Sequence, residues 1–450
     1  MKRREFITQA TLATFALSLP SLASAFSKKN KDASVIIIGA GLAGLAAAYQ
    51  LKQKNIPFII LESRNRFGGR VFSQQITNNL VVELGGEWVG ASHTRIREFC
   101  DEMKLTLDNN QMDTHLIYKN QYFPKNKWDY SPAWKQKFDN IIKAYPQLSE
   151  EDKKALDQYD WWRYLVNNGC DDRDLEIREL LDSTDFGESI RHVSAFAALA
   201  EYAESSPKNE MDYKIRGGNI KLAEGLVKKI GAENIYLSHT VTDIIQSNNV
   251  EVRCSNGKSF KADKIICTAP TFALQKINWS PGLPEGHKNA INALQYARIN
   301  KRAFVFNKRF WKDESFDLIT DQSPHYFYHA TKNQPGNAGA LISYSIGDKA
   351  LLNADYSEKR AAQEISECLD PFFGPIKNLI AKQQNYYWGQ DMYSRGAYAL
   401  YGVGQWFIIR PQLQQPFLNT HFAGEHLADW QGFMEGAINT GEEAASNIIQ

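Results

Sequence analysis

Ser34-Val-Ile-Ile-Ile38-Gly39-Ala-Gly41-Leu-Ala-Gly44 is the stretch whose reading decides the fold. Val35 to Ile38 are all β-branched, the signature of a strand buried on both faces in a parallel sheet. Leu45 to Lys52 is Ala-rich and helix-like. Between strand and helix, Gly39 permits a tight turn, Gly41 lets backbone approach a pyrophosphate, and Gly44 lets helix and strand pack closely. A diphosphate placed there would sit on the unsatisfied N–H groups of the helix start. A second strand, Pro57-Phe-Ile-Ile-Leu61, ends at Glu62, whose carboxylate can accept hydrogen bonds from ribose hydroxyls. A lone glycine triplet is weak evidence. One set between a strand and a helix, with an acid at the end of the next strand, points firmly to a dinucleotide-binding unit.

The residues beyond Glu62 narrow the dinucleotide. Glu62-Ser-Arg64-Asn-Arg66-Phe-Gly68-Gly69-Arg70 resembles the E-x-x-x-R-x-G-G-R stretch of the FAD-dependent amine oxidases and of the related protoporphyrinogen oxidases and carotenoid desaturases. The resemblance implies cofactor contacts from Glu62, Arg64 and Gly69, with Arg70 supplying positive charge near the diphosphate and flavin. Glu83-Leu-Gly85-Gly86-Glu87-Trp88-Val89-Gly90 is similar to the family segment that runs beside the isoalloxazine, which brings in Gly86 and Glu87. Further matches follow at Arg216-Gly-Gly-Asn219, at Val241, whose counterpart contacts adenine through its backbone, and at Ala262 to Pro270. His421-Phe-Ala-Gly-Glu425 and Trp430-Gln-Gly-Phe-Met-Glu-Gly436 resemble the family's closing FAD motif. There Glu425 would approach the ribityl–diphosphate region. A helix starting near Met434 would aim its positive N-terminus at the flavin's N1–O2 edge.

The fold expected is a Rossmann-type α/β FAD-binding domain, discontinuous in sequence, joined to an α+β substrate domain of mixed antiparallel sheet and helices. The FAD-binding domain is assigned to residues 33–110, 212–284 and 400–450, and the substrate domain to 111–211 and 285–399. The first substrate stretch carries helical and aromatic signals (Trp128, Trp134, Trp161, Trp162). The second alternates like antiparallel strands at Arg302–Phe306 and Ala340–Tyr344. No repeat or low-complexity linker breaks the chain.

Four residues stand where the family does its chemistry. Lys301, ahead of the apolar strand Ala303–Phe306, matches the lysine that holds a water against flavin N5. Trp388-Gly-Gln-Asp-Met-Tyr393-Ser-Arg-Gly-Ala-Tyr398 resembles the stretch whose last tyrosine walls an aromatic cage, and Phe433 falls at the opposing ring. Parallel rings there would orient an amine, since a ring face tolerates approaching positive charge. Taken as packing alone, Trp388, Tyr398 and Phe433 would be sheet-core aromatics. Where covalent relatives carry a flavin-binding cysteine, this chain has Ala397, so the FAD is expected to be non-covalent.

The resemblance implies an amine oxidase: hydride transfer from the α-carbon to flavin N5, imine hydrolysis, and reoxidation by dioxygen to hydrogen peroxide. An L-amino-acid oxidase is the runner-up, because Arg95, Arg97 or Arg395 could reach a substrate carboxylate. Glu87, where several such enzymes have an arginine, argues instead for an amine without a carboxylate, unless it pairs with a neighbouring base. A flavin amine dehydrogenase using an electron carrier shares the motifs, and a non-catalytic FAD-binding protein is the reading from another class.

Composition narrows the partners. The 450 residues carry 52 Lys+Arg against 51 Asp+Glu, and a formal charge of +1 lacks the footprint of a nucleic-acid binder. Five cysteines, odd in number and without CxxC spacing, define neither a disulfide framework nor a metal site. Lys2-Arg3-Arg4-Glu-Phe-Ile-Thr8, a short apolar run from about Ala10 to Leu19 and Ala23-Ser-Ala25 read as a twin-arginine-like signal peptide over residues 1–25. The run is too short to span a bilayer. The mature protein is therefore expected in the periplasm or secreted, with no membrane span and with a homodimer left open.

Overall fold

The structure, a computed structural model, describes residues 33–429 and 431–449; the signal-like segment and Trp430 lie outside the described residues. The first strand, Val35–Ile38, is central to a five-stranded parallel sheet. It pairs on one side with Phe58–Leu61, which carries Ile235–Tyr236 at the edge. On the other side it pairs with Lys264–Cys267, followed by Thr420–Phe422. The sheet thus gathers strands from three distant parts of the chain. Helix Leu42–Gln53 starts directly after the glycine turn and packs against the C-terminal helix Met434–Ile449. A Cβ on Gly44 would lie 2.0 Å from the Gly39 carbonyl oxygen, so only glycine lets the helix start this close to the turn.

A four-stranded sheet, Ser259–Ala262, Val250–Cys254, Val241–Gln246 and Asn278–Ser280, flanks this unit. A seven-stranded sheet stands apart, in the order Ile380–Tyr387, Ile299–Phe306, Gly339–Ile346, Tyr326–His329, Phe316–Thr320, Asp113–Tyr118, Gln121–Phe123. Its pairs are antiparallel except Phe316–Thr320 with Asp113–Tyr118, which run parallel. The last two strands come from the stretch read above as helical. The rest of that stretch does fold into helices, including Pro132–Ala144, Trp161–Asn167, Asp172–Phe186 and Ala195–Glu204, around a core of Trp134, Trp161, Leu165 and Phe186.

The expected alternation in the sheet is absent. Ile299–Phe306 and Gly339–Ile346 are buried at every position. One face packs Phe304, Phe306 and Leu341 against Ile365 and Leu369 of helix Glu358–Phe373. The other face, with Ala303, Ile342, Tyr326, Tyr328 and Tyr344, is covered too. Two buried faces erase the polar half of the pattern. Lys301 consequently lies inside the strand rather than before it, 5% exposed.

Candidate active site

A cavity of about 990 Å³ runs between the parallel sheet and the seven-stranded sheet. That is the upper end of the range for ligand sites, roughly 300–1,000 Å³. The strand ends and loops of the parallel sheet supply Gly39, Gly41, Glu62, Arg64, Gly69 and Arg70, with Val241 beside them. The middle is bordered by Gly86, Glu87, Trp388, Tyr398, Glu425, Phe433 and Met434. Lys301 reaches the middle from the sheet, and the far wall combines Tyr326, Tyr328 and Asp317 from the sheet with Arg178, Asp185 and Glu201 from the helices. Every cofactor and catalytic residue expected from the sequence except Gly44, which packs behind the turn, lines this one cavity.

The nucleotide end fits an anionic diphosphate. Helix Leu42–Gln53 has Gly41 as its N-cap, no side-chain cap and no acid in its first turn, so its leading N–H groups meet no competing carboxylate. A Cβ on Gly69 would come 3.2 Å from the Cα of Gly41, so the two loops pass backbone to backbone at the cavity wall. Glu62 accepts hydrogen bonds from the backbone N–H of Ala40 and of Arg64, each 2.8 Å. These fix the carboxylate and leave lone pairs free for a ribose.

The two motif arginines are less free than expected. Arg64 donates to Asp391 at 2.5 Å and lies over the Tyr393 ring, which makes it a clamp on the 391–394 turn. Arg70 donates to Glu425 at 2.6 Å. Glu425 also accepts from the backbone N–H of Ala399 (3.2 Å) and Gly432 (2.8 Å). Burial would raise the Glu425 carboxyl, but Arg70, His426 and the Gly432 N–H hold it below the usual range. Both arginines face the cavity with their charge already balanced.

Glu87 departs furthest from expectation. It is 3% exposed and forms ion pairs with Lys214 (3.0 Å) and Lys301 (3.1 Å), while the Tyr328 hydroxyl donates to it. Burial alone would push the carboxyl up; the two lysines and the tyrosine outweigh it and hold it below the ordinary range. The expected encounter between a free Glu87 carboxylate and substrate is therefore corrected: two lysines have claimed it. Lys301 also donates to the Gly85 carbonyl at 2.8 Å, which ties its ammonium to the Gly85–Glu87 segment. Gly86 faces the first residue of the C-terminal helix, with room for a Cβ only 3.3 Å from the Met434 Cγ.

Trp388 is 2% exposed, donates from Nε1 to the Leu84 carbonyl at 2.8 Å and packs on Tyr386. It is an anchored wall, not a mobile participant. The Tyr398 hydroxyl donates to the Asp185 backbone carbonyl, and a Cβ on Gly432, next to Phe433, would touch the Tyr398 ring at 3.0 Å. Phe433 packs edge-on against His93 and, with Tyr398, lines the cavity.

Sequence reasoning missed Lys214, Tyr328, Arg178, Asp182, Asp185, Glu201 and Asp317, all but Lys214 lining the cavity. Burial pushes the Asp185 and Asp317 carboxyls up to about 7 each and raises Glu201 well above its ordinary value. Arg178, Asp182 and Asp185 share one helix face at i, i+4 and i+7, the pattern that could have flagged them. Arg95, Arg97 and Arg395, the arginines the runner-up amino-acid reading would need, do not line the cavity: Arg95 pairs with Glu442 and Glu98, Arg97 donates to the Ala91 carbonyl, and Arg395 lies over Phe272. All five cysteines are buried and unbridged, and the described residues hold no metal-binding cluster.

A Rossmann-type unit whose cofactor cavity continues onto an antiparallel sheet with a buried lysine defines a flavoprotein oxidoreductase. The chain belongs to the flavin-containing amine oxidoreductase family, whose model matches residues 42–449. It is 25% identical to a probable flavin-containing monoamine oxidase A of Dictyostelium discoideum, over 92% of this chain and 97% of that protein. It is 24% identical to the human flavin-containing amine oxidase B, over 92% and 86%. Among solved structures, putrescine oxidase bound to putrescine superposes with a TM-score of 0.83 at 21% identity, covering 94% of this chain and 100% of that one. Cyclohexylamine oxidase from Brevibacterium oxydans IH-35A gives 0.82 at 20% identity, covering 93% and 99%. The chain is accordingly an FAD-dependent oxidoreductase acting on amines. No helix among the described residues is long and apolar enough to cross a membrane.

Proposed function

We propose that this amine oxidase acts on an amine lacking a carboxylate, uses dioxygen as its oxidant, and works outside the cytoplasm. One observation carries the substrate class: each cavity arginine is already matched to an acid, Arg64 to Asp391, Arg70 to Glu425 and Arg178 to Asp182. A substrate carboxylate calls for a free, preferably bidentate arginine, and the described cavity offers none. A bound flavin would supply the redox chemistry, accepting a hydride equivalent from the carbon beside nitrogen and returning its electrons to dioxygen as peroxide.

The protein's part is binding and orientation. Gly39, Gly41 and Gly69 admit the diphosphate to the helix N-terminus, Glu62 takes the ribose, and Val241 borders the adenine. Glu425 and Arg70, locked together, would shape the wall beside the ribityl chain, and the N-terminus of the Met434 helix, which lines the cavity, would present positive dipole to a bound flavin. Ala397 offers no nucleophile for covalent attachment. Lys301, held by Gly85 and Glu87, can keep a proton-donating group or water at the flavin edge. Tyr398 and Phe433 orient the amine, with Trp388 bracing them. The Arg3-Arg4 pair and the Ala23-Ser-Ala25 site support export of a folded, cofactor-loaded protein.

Purified holoenzyme screened with amines and matched L-amino acids should release peroxide with amines and consume one dioxygen per turnover. Peroxide from amino acids alone would overturn the substrate class. Turnover only with an added electron acceptor would overturn the oxidase assignment.

A further inference from the structure

The far wall of the cavity holds three carboxyls that form no direct ion pair among the described residues, although the charge of Arg178 reaches Asp185 and that of Lys332 reaches Asp317. Asp185, Glu201 and Asp317 all line it, and the arginine on that wall, Arg178, is bonded to Asp182 at 3.2 Å. Asp317 is 1% exposed; one of its oxygens accepts from the Tyr326 hydroxyl (2.7 Å) and the Thr114 hydroxyl (3.1 Å), and the other, Oδ1, is buried with no partner. Asp185 accepts from the Tyr202 hydroxyl at 2.7 Å. The charged groups acting on Glu201 are Asp185, Glu210 and Asp182, all acids. Buried acceptors without a donor are rare, and buried acids without a direct counter-charge hold their protons until a cation arrives to favour the ionised form.

The sheet register relates this wall to Lys301. Lys301 pairs with Tyr344, Tyr344 with Tyr326, and Tyr326 with Ile319, so these residues form one row across four strands. Asp317 stands two residues from Ile319 and therefore on the same face. Three strand spacings, roughly 14 Å, separate the two strands. The rings of Tyr344, Tyr326 and Tyr328 floor the space between, and ring faces accept cations.

We propose that Asp185, Glu201 and Asp317 form a subsite for the second positively charged nitrogen of an elongated di- or polyamine, whose chain crosses the tyrosine floor while the C–N bond to be oxidised lies at the Lys301 end. This rests on the amine reading and names its substrate class. Asp182 is excluded from the subsite because Arg178 neutralises it. The apolar middle of such a substrate would lie on the tyrosines and on Ile319.

The test compares linear alkylamines with α,ω-diaminoalkanes of equal length and with a linear triamine, using the purified holoenzyme. Wild-type kcat/KM should favour the dications by about tenfold or more, the scale of one charged hydrogen bond. In Asp317→Asn and Glu201→Gln the dication-to-monocation ratio should fall about tenfold, mainly through KM. Because a variant can fail to fold, binding of an unreactive bis-quaternary alkane to the wild type is followed by the flavin spectrum, against its mono-quaternary counterpart. Tighter binding of the bis-cation supports the subsite. Equal binding, no dication preference, or parallel losses on both substrate types would overturn it. If monoamines bleach the flavin but a second nitrogen confers nothing, the subsite alone fails; if no amine bleaches it, the amine reading fails as well.

Discussion

Glu87 and Asp317 are both buried carboxyls at the wall of one cavity, and both accept a hydrogen bond from a tyrosine on the strand Tyr326–His329. Their tyrosines, Tyr328 and Tyr326, even share a face. Yet Glu87 is held below the ordinary carboxylate range by Lys214 and Lys301, while burial pushes Asp317 up to about 7 because no basic group bonds it directly and the more distant Lys332 does not offset the burial. The lesson is that position beside a flavin does not set a carboxylate's job; the lysine that reaches it does. At the cofactor end every acid is answered within the fold, which suits an anionic dinucleotide. At the far wall three are not, which suits a cationic substrate.

The sharpest way to break this contrast is Glu87→Gln. It leaves two ammonium groups facing each other without a counter-charge, and removing one partner of a buried ion pair costs about 3–5 kcal/mol. Denaturant unfolding should register that loss, with kcat/KM falling alike for mono- and diamines. A loss confined to diamines would return Glu87 to the substrate site. Lys301→Met should have the next largest effect. The variant should retain FAD but slow flavin reduction or reoxidation by at least about tenfold, about 1.4 kcal/mol, in stopped-flow traces. Unchanged rates in both half-reactions would reduce Lys301 to a partner for Glu87.

The third test is a pair of opposite pH slopes. Asp317 and Asp185 titrate near 7 when folded against about 3.9 unfolded, so the native state binds more protons between those values. Their contribution to stability therefore falls as pH rises from about 4 to about 7, and Asp317→Asn should flatten that decline. Glu87 acts in reverse: its folded value lies below the unfolded one, about 4.3, so its stabilisation is present above that pH and disappears as pH falls through the folded value. Ligand-free stability measured from about pH 3 to 8 in wild type, Asp317→Asn and Glu87→Gln checks both signs. An Asp317→Asn slope that matches wild type would show that Asp317 ionises normally.

The cofactor end was legible because its information is local: strand, glycine turn, helix and Glu62 lie within about thirty consecutive residues, the span of a βαβ unit. The far wall was not. Arg178, Asp182 and Asp185 form an ordinary polar helix stripe until the fold turns it toward the cavity. The fate of Arg64 depended on Asp391 and that of Glu87 on Lys214, partners 327 and 127 residues away. The seven-stranded sheet concealed its period because both faces are covered, and Asp113–Tyr118 joined it from a stretch otherwise rich in helix.

The central claim, that this cavity oxidises amines at its Lys301 end, is tested most directly by mixing the oxidised holoenzyme anaerobically with an α,ω-diaminoalkane, and separately with an L-amino acid of matched length, while following the flavin absorbance. The diamine should bleach the flavin completely, the amino acid far more slowly, and admitted dioxygen should restore the colour with one peroxide per flavin. A flavin that stays oxidised with every amine, or bleaches only with the amino acid, would contradict the account.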